Sequence, residues 1–207
     1  GVPVRVWPRA PFVMGFFKTV KRKFIDLNDL FLKKYIIKNK NIIITGSNSG
    51  IGLELVKKLS IQNNIIAMVN ESCENLNLKN IEIIKNNFEN VKFDINFTDK
   101  IKSFNPHILI NCAASFGPKN QEFNQIDVND FQKIININVL SPIRLIQYCL
   151  ESNNLYQITN ITSGLGSFSS GNDGGYYYYR TSKAMLNSIT KNIASDLKDK
   201  KINVYCL

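Results

Sequence analysis

Tyr179 and Lys183 stand four residues apart in the run Tyr176-Tyr177-Tyr178-Tyr179-Arg180-Thr181-Ser182-Lys183. On a helix that spacing sets both side chains on one face. A phenol is a poor acid or base at neutral pH, because its unperturbed pKa is about 10. A neighbouring ammonium favours the phenolate and lowers that value. The pair is therefore suited to moving a proton to or from an oxygen. The stretch Asn41 to Gly52 supplies a different chemistry. Ile42, Ile43, Ile44 and Thr45 lead into Gly46, Gly50 and Gly52, and an amphipathic run follows. Ile51, Leu55, Val56 and Leu59 lie on one side of that run, and Glu54, Lys57 and Lys58 on the other. This reads as a buried strand, a tight glycine turn and a helix. A helix N-terminus approached through glycines suits a phosphate, since it offers free N–H groups with no Cβ in the way.

The elements that must position these groups alternate along the chain. Asn64 to Val69 reads as the second strand, with Asn70 and Glu71 at its end. The third strand is placed near residues 90–95, with Asp94 at its C-terminal end, although Ile81–Ile84 is also β-branched. Pro106 to Asn111 reads as the fourth strand and runs into Asn111-Cys112-Ala113-Ala114. A long helix is expected from Asp127 to Glu151, with the polar Asn138 inside its apolar run. The fifth strand, Gln157 to Thr162, leads into Ser163-Gly164-Leu165-Gly166 and a Gly/Ser/Asn-rich loop. The helix of Tyr179 and Lys183 continues through Leu186, Ile189, Ile193 and Leu197, and Ile202 to Leu207 reads as a sixth strand. Such alternation implies an α/β, doubly wound parallel sheet with ligand at the carboxyl ends of the strands. The singled-out residues all fall at those ends or on the helices that begin there.

Composition narrows the function classes. At 207 residues one domain is expected. The net charge of +10 is unevenly placed: residues 1–40 carry ten Lys/Arg and two Asp/Glu, which leaves the rest near neutral. The basic balance therefore belongs to an N-terminal extension, residues 1–38, and a nucleic-acid surface on residues 39–207 is not implied. The extension is irregular through Pro3, Pro8 and Pro11 and helical in flavour over residues 16–37. Met14 is a candidate start, with residues 1–13 as non-native sequence. A basic amphipathic helix of this kind suits an anionic membrane surface, but a solvated extension packed loosely on the domain is the favoured reading. No apolar run approaches the ~18–20 residues a bilayer requires, and no secretory signal stands out. Cys73, Cys112, Cys149 and Cys206 form no C-x-x-C pair, so neither zinc nor a redox dithiol is suggested. Together these point to a reducing, cytoplasmic setting. His107, the single histidine, precedes a strand and reads as structural.

Thr45-Gly46-x-x-x-Gly50-Ile51-Gly52, Asn111-x-Ala113, Asn138, Ser163 and Tyr179-x-x-x-Lys183 occur in that order over residues 41–207. The set resembles the short-chain dehydrogenase/reductase family. The tail Tyr-Arg-Thr-Ser-Lys-Ala-Met-Leu-Asn and the long Ser163-to-Tyr179 interval resemble its carbonyl reductase and C-factor-like branch. The resemblance implies a Rossmann-like fold and an NAD(P)H-dependent oxidoreductase that reduces a small-molecule carbonyl or oxidises an alcohol. It implies Tyr179 as acid/base, Lys183 on the nicotinamide ribose, Ser163 on the substrate oxygen, and Asn138 holding a water that relays protons. Gly46, Ser47, Ser49, Gly50, Ile51, Gly52, Asn70, Asp94, Asn111 and Ala113 would line the cofactor, Asp94 meeting the adenine amino group. Ser49 and Asn70 are neutral where relatives often carry a basic residue. NADP(H) is preferred on resemblance, with NAD(H) open. Cys112 and Ala114 depart from the family's Asn-Asn-Ala-Gly, so the local turn is expected to differ. The family continues past the sixth strand, so the chain reads as a C-terminally truncated member lacking the final strand and one pocket wall. The alternative is a cofactor-binding regulatory or signalling protein of the same fold with little turnover. An epimerase or dehydratase usually spaces its glycines differently. Homo-oligomerisation stays open.

Overall fold

The computed structural model describes residues 37–71, 76, 79–93, 95–169 and 174–207. The expected extension up to residue 36, Cys73, Asp94 and the centre of the Gly/Ser/Asn-rich loop lie outside the described residues. The described elements are β1 (Asn41–Thr45), α1 (Gly50–Leu59), β2 (Asn64–Val69), β3 (Ile81–Lys85), α2 (Ile95–Phe104) and β4 (Ile108–Asn111). They continue with α3 (Val128–Ile135), a π-helical turn (Asn136–Leu140), α4 (Ser141–Cys149), β5 (Gln157–Asn160), α5 (Tyr177–Asp196) and β6 (Asn203–Cys206).

The strands form one parallel sheet in the order β3-β2-β1-β4-β5-β6. The order reverses between β1 and β4, which opens a crevice at their carboxyl ends. Both faces of the sheet are covered, so the inner strands read as continuous apolar runs rather than alternating ones. In β1, Ile43 faces one layer with Leu109, Ile158 and Leu145, while Ile42 and Ile44 face the other with Val56. Each such side chain contributes about 1.5–3 kcal/mol by leaving water.

The third strand is Ile81–Lys85, not residues 90–95. It pairs Ile65 with Ile81 and Val69 with Lys85 at the edge of the sheet. An edge strand leaves one face in solvent, and Glu82, Ile83 and Lys85 are exposed, so its apolar signal is diluted. The apolar residues after it serve the core instead. Phe93 stacks on Phe97 at 4.8 Å and meets Tyr148 edge-on at 5.6 Å. Val91 has φ 52°, a conformation no strand interior accepts.

The expected Asp127–Glu151 helix is present, with a π-helical turn inside it. Asp127 caps α3, its Oδ1 accepting from Asn129 and Asp130 N–H at 2.8 and 3.0 Å. The π turn then carries the chain without a break in helical backbone into α4, with Pro142 in its first turn. Among the described residues no helix is long and apolar enough to cross a membrane.

His107 is structural. Its Nδ1 accepts from Asn41 N–H at 3.1 Å, at the start of the central strand, and its ring meets Tyr156 edge-on. Desolvation, with a smaller effect of Lys40, lowers its pKa below the ordinary 6.5. A depressed histidine stabilises the fold above the unfolded value and loses that contribution as pH falls through the folded one. Urea midpoints measured from about pH 7 to pH 5 should therefore decline, and His107→Gln should flatten that decline; an unchanged slope in the variant would show that His107 is not responsible.

Candidate active site

The crevice between β1 and β4 is built by close backbone contact. Gly46 has φ 69°, and a Cβ there would come within 2.7 Å of Ala113. A Cβ on Gly52 would lie 2.2 Å from the Gly46 carbonyl oxygen, so only glycine lets the first turn of α1 fold back on the loop. Thr45 Oγ1 accepts from both Cys112 and Ala113 N–H at 3.0 Å, which ties the ends of β1 and β4 together. The positive φ after β4 falls at Gly117 and not at Ala114, so the Ala in place of glycine carries no strain.

A dinucleotide fits this loop. Gly50 has φ 56° with open space around it, the first turn of α1 holds no acid, and the Ser49 side chain does not cap the helix. The amides at that terminus therefore face the crevice without a competing negative charge. Ser49 and Ile51 are exposed at its mouth. Ser47 is fully buried and its Oγ donates to Ile44 O at 2.9 Å, so its part is to hold the loop. Asn70 is exposed beyond β2, and Asn48 fixes it: Asn48 Oδ1 accepts from Asn70 N–H at 2.9 Å and Asn48 Nδ2 donates to Glu71 O at 3.0 Å. Nothing in the sequence marks Asn48 among the many asparagines of this chain.

The reacting groups meet at the start of α5. Tyr179 and Lys183 share a face, with the Lys183 amine 5.6 Å from the centre of the Tyr179 ring. Ser163, just past the end of β5, lies close enough to the Tyr179 hydroxyl for its side chain to lower the phenol's pKa, and its Oγ accepts from Leu165 N–H at 3.2 Å. Gly166 makes that approach feasible, since a Cβ there would strike the Lys183 backbone at 2.7 Å. Lys183 is 2% exposed and its Nζ donates to Ile161 O at 2.9 Å. Cys112, which replaces the family's second Asn, links the two halves of the site. Its thiol lies near the Gly52 N–H and within electrostatic range of Lys183, and both favour the thiolate against the burial that pushes its pKa up.

Burial governs the charges. Desolvation pulls Lys183 down to about 8, opposed weakly by Cys112. Desolvation pushes Tyr179 above its ordinary value of 10, against the lowering effect of the Ser163 side chain. The lowering of the phenol by its ammonium neighbour, expected from sequence, is not what the structure gives. Burial thus favours the protonated phenol.

Asn138 is fully buried in the π turn. Its Oδ1 accepts from Ser115 N–H at 2.7 Å, and its Nδ2 donates to Ser115 O at 2.8 Å and Ser182 Oγ at 2.9 Å. Ser182 Oγ in turn donates to Tyr179 O at 2.8 Å. The Asn138 side chain thus fastens the loop after β4 to α5. Asn111, the last residue of β4 at the crevice, is buried. Its Nδ2 donates to Asn160 Oδ1 at 2.8 Å, and Asn160 Nδ2 donates to Thr190 Oγ1 at 2.9 Å, while Asn111 Oδ1 has no partner. Asn160 and Thr190 complete a polar ladder from β4 through β5 to α5 that sequence reasoning missed. Its only signal is a polar residue at the end of an apolar strand.

A family model described as short chain dehydrogenase matches residues 40–207. The chain belongs to the short-chain dehydrogenase family. It is 34% identical over 94 residues to C-signal of Myxococcus xanthus, a match spanning 44% of this chain and 56% of that protein. The chain thus matches about half the length of that relative. Among solved structures, carbonyl reductase Sniffer of D. melanogaster superposes with a TM-score of 0.73 and 26% identity, over 82% of this chain and 79% of that one. A 4-hydroxyisoleucine dehydrogenase complexed with NADH superposes with a TM-score of 0.71 and 26% identity, over 81% of this chain and 74% of that one. The six-stranded Rossmann-like sheet is the fold these proteins share.

The buried ammonium has a cost that can be measured. Holding Lys183 near 8 rather than 10.5 opposes folding at neutral pH by about 3 kcal/mol. Between those values the unfolded chain binds the extra proton, so stability should rise as pH climbs through that window. Lys183→Met removes this cost but strands the Ile161 carbonyl, itself worth about 1–3 kcal/mol. The variant should match the parent within about 1 kcal/mol in urea unfolding near neutral pH and lose the alkaline rise. A large destabilisation would contradict the burial account.

Proposed function

We propose that this chain is an NAD(P)H-dependent oxidoreductase that reduces a small-molecule carbonyl, or oxidises the corresponding alcohol, with Tyr179 as general acid/base. The observation that carries the reading is the Lys183 amine, held by Ile161 O, 5.6 Å from the centre of the Tyr179 ring, with Ser163 beside the Tyr179 hydroxyl. When bound, a nicotinamide supplies a hydride to the carbonyl carbon or takes one from the alcohol carbon. Gly46, Gly50 and Gly52 and the N-terminus of α1 would hold its pyrophosphate, and Lys183 its ribose. Ser163 Oγ then positions the substrate oxygen, and Tyr179 Oη gives that oxygen its proton, yielding the alcohol. The phenolate left behind has the Lys183 amine 5.6 Å from its ring centre as a cationic neighbour. Acid–base help of this kind is worth about 10²–10⁴ in rate. Asn138 acts as a positioning residue, since its side chain is spent on Ser115 and Ser182.

NADP(H) is preferred over NAD(H) on the family resemblance, since Asn70 and Ser49 at the expected positions are neutral and can each hydrogen-bond a phosphate. The match to C-signal favours a second reading, a cofactor-binding signalling protein with little turnover. Retention of Ser163, Tyr179 and Lys183 in one cluster weighs toward the enzyme.

Oxidation of NADPH or NADH followed by absorbance across aldehydes and ketones tests the proposal. Tyr179→Phe should lower kcat by about 10²-fold or more while cofactor affinity holds; parental rates in the variant would remove Tyr179 from the chemistry. In the reductive direction kcat/KM should be level near neutral pH and fall as pH rises through about 8, where Lys183 loses its proton. A profile level to about pH 10 would separate Lys183 from the reaction.

A further inference from the structure

Three aromatic rings run in contact from solvent to the reacting phenol. Phe116 lies 4.8 Å from the Tyr179 ring, tilted by 32°, and 5.2 Å from Tyr176, nearly perpendicular at 69°. Phe116 is 44% exposed and Tyr176 48% exposed, so both rings keep surface open to solvent. An exposed aromatic ring on a mobile loop would mean little, but these rings are held. Asn138 clamps Ser115 through both its N–H and its carbonyl, immediately before Phe116. Gln121 Nε2 donates to Phe116 O and Pro118 O at 3.0 Å, immediately after it. Tyr176 has its backbone fixed at the start of α5, where its carbonyl accepts from Arg180 N–H at 2.9 Å and its φ is 53°. A non-glycine residue keeps that backbone only where its surroundings impose it, and such strain gathers at functional sites.

We infer that the substrate carries its carbonyl on a planar unsaturated group, aryl or enone in class, which lies against Phe116 and Tyr176 while its oxygen reaches Ser163 and Tyr179. The inference rests on the oxidoreductase reading above and adds a substrate class to it. An aliphatic wall would bury a saturated chain equally well. Fixed aromatic faces favour a partner with its own π system, stacked or edge-on, beyond the area buried. A ring has only two side-chain torsions to restrain, so it offers that surface at little entropic cost. Phe116 and Tyr176 are thus specificity residues and Asn138 and Gln121 their supports. The first two side chains are separated by sixty positions in sequence, and only the fold brings them to one wall.

The test uses the full chain with NADPH and two pairs of probes. Benzaldehyde and cyclohexanecarbaldehyde, equal in ring size, are compared as substrates. Benzamide and cyclohexanecarboxamide, which cannot turn over, are compared as ligands by ligand-observed NMR. The parent should favour the aryl member of each pair by about three- to tenfold. Phe116→Leu, which keeps apolar bulk, should bring both ratios close to unity, and Phe116→Tyr should restore them. Tyr176→Asn removes the second ring with a residue that tolerates the left-handed backbone, so a smaller ratio there cannot be ascribed to misfolding. Equal handling of aryl and saturated probes by the parent, or ratios untouched by Phe116→Leu and Tyr176→Asn, would overturn the substrate class. An aryl preference in the amide pair without turnover of either aldehyde would uphold the aromatic wall and count against the oxidoreductase reading.

Discussion

The structure depends on keeping one ammonium out of water. Lys183 sits almost wholly inside the protein, where its amine donates to the backbone carbonyl of Ile161. An ammonium so placed is costly, and the surrounding chain must be pressed tightly to make it feasible. Gly166 allows the turn after β5 to rest on the backbone of α5. The amide ladder from Asn111 through Asn160 to Thr190 sets how far along the strands α5 can slide. These contacts hold the amine beneath Tyr179 and beside Cys112. The same exclusion of water pulls the Lys183 pKa down and pushes the Tyr179 pKa up.

Asparagine gives this protein much of its internal wiring. Asn63, Asn111, Asn138 and Asn160 are all buried. Asn63 joins the segment before β1 to the end of α1 through Ile37 O, Leu59 O and Lys40 N–H. Asn138 imitates a strand neighbour for Ser115 by pairing with both its backbone groups. An amide suits these tasks because it donates and accepts without carrying charge, so its burial costs little once its bonds are made. In an asparagine-rich chain the working amides cannot be told from the solvated ones by residue type.

Much of the fold is legible because its inner strands are buried on both faces and announce themselves as unbroken apolar runs. β1, β2 and β4 read in this way. β3 does not, since an edge strand needs only one apolar face, and a stronger apolar signal ten residues later belongs to the aromatic core around Phe93. The helix carrying Asn138 is legible as a helix, but its π turn leaves no trace in periodicity. The close-packed glycines Gly46 and Gly52 are readable because the contact forbids any other residue. Phe116 is not, because a lone phenylalanine in a loop has no pattern until its neighbours arrive from α5.

The sequence by itself determines the alternation of strands and helices, the glycine turn, and the four-residue interval that aligns Tyr179 with Lys183. These are local properties, set by side-chain period and backbone freedom within a few residues. Only the tertiary structure decides that Ser163 reaches Tyr179, that Cys112 lies near both Gly52 and Lys183, and that the phenol is held up rather than brought down in pKa. Those outcomes turn on how much water is excluded where α5 meets the ends of β4 and β5. Solvent exclusion is a property of segments distant in the chain and packed together, and no stretch of residues contains it alone.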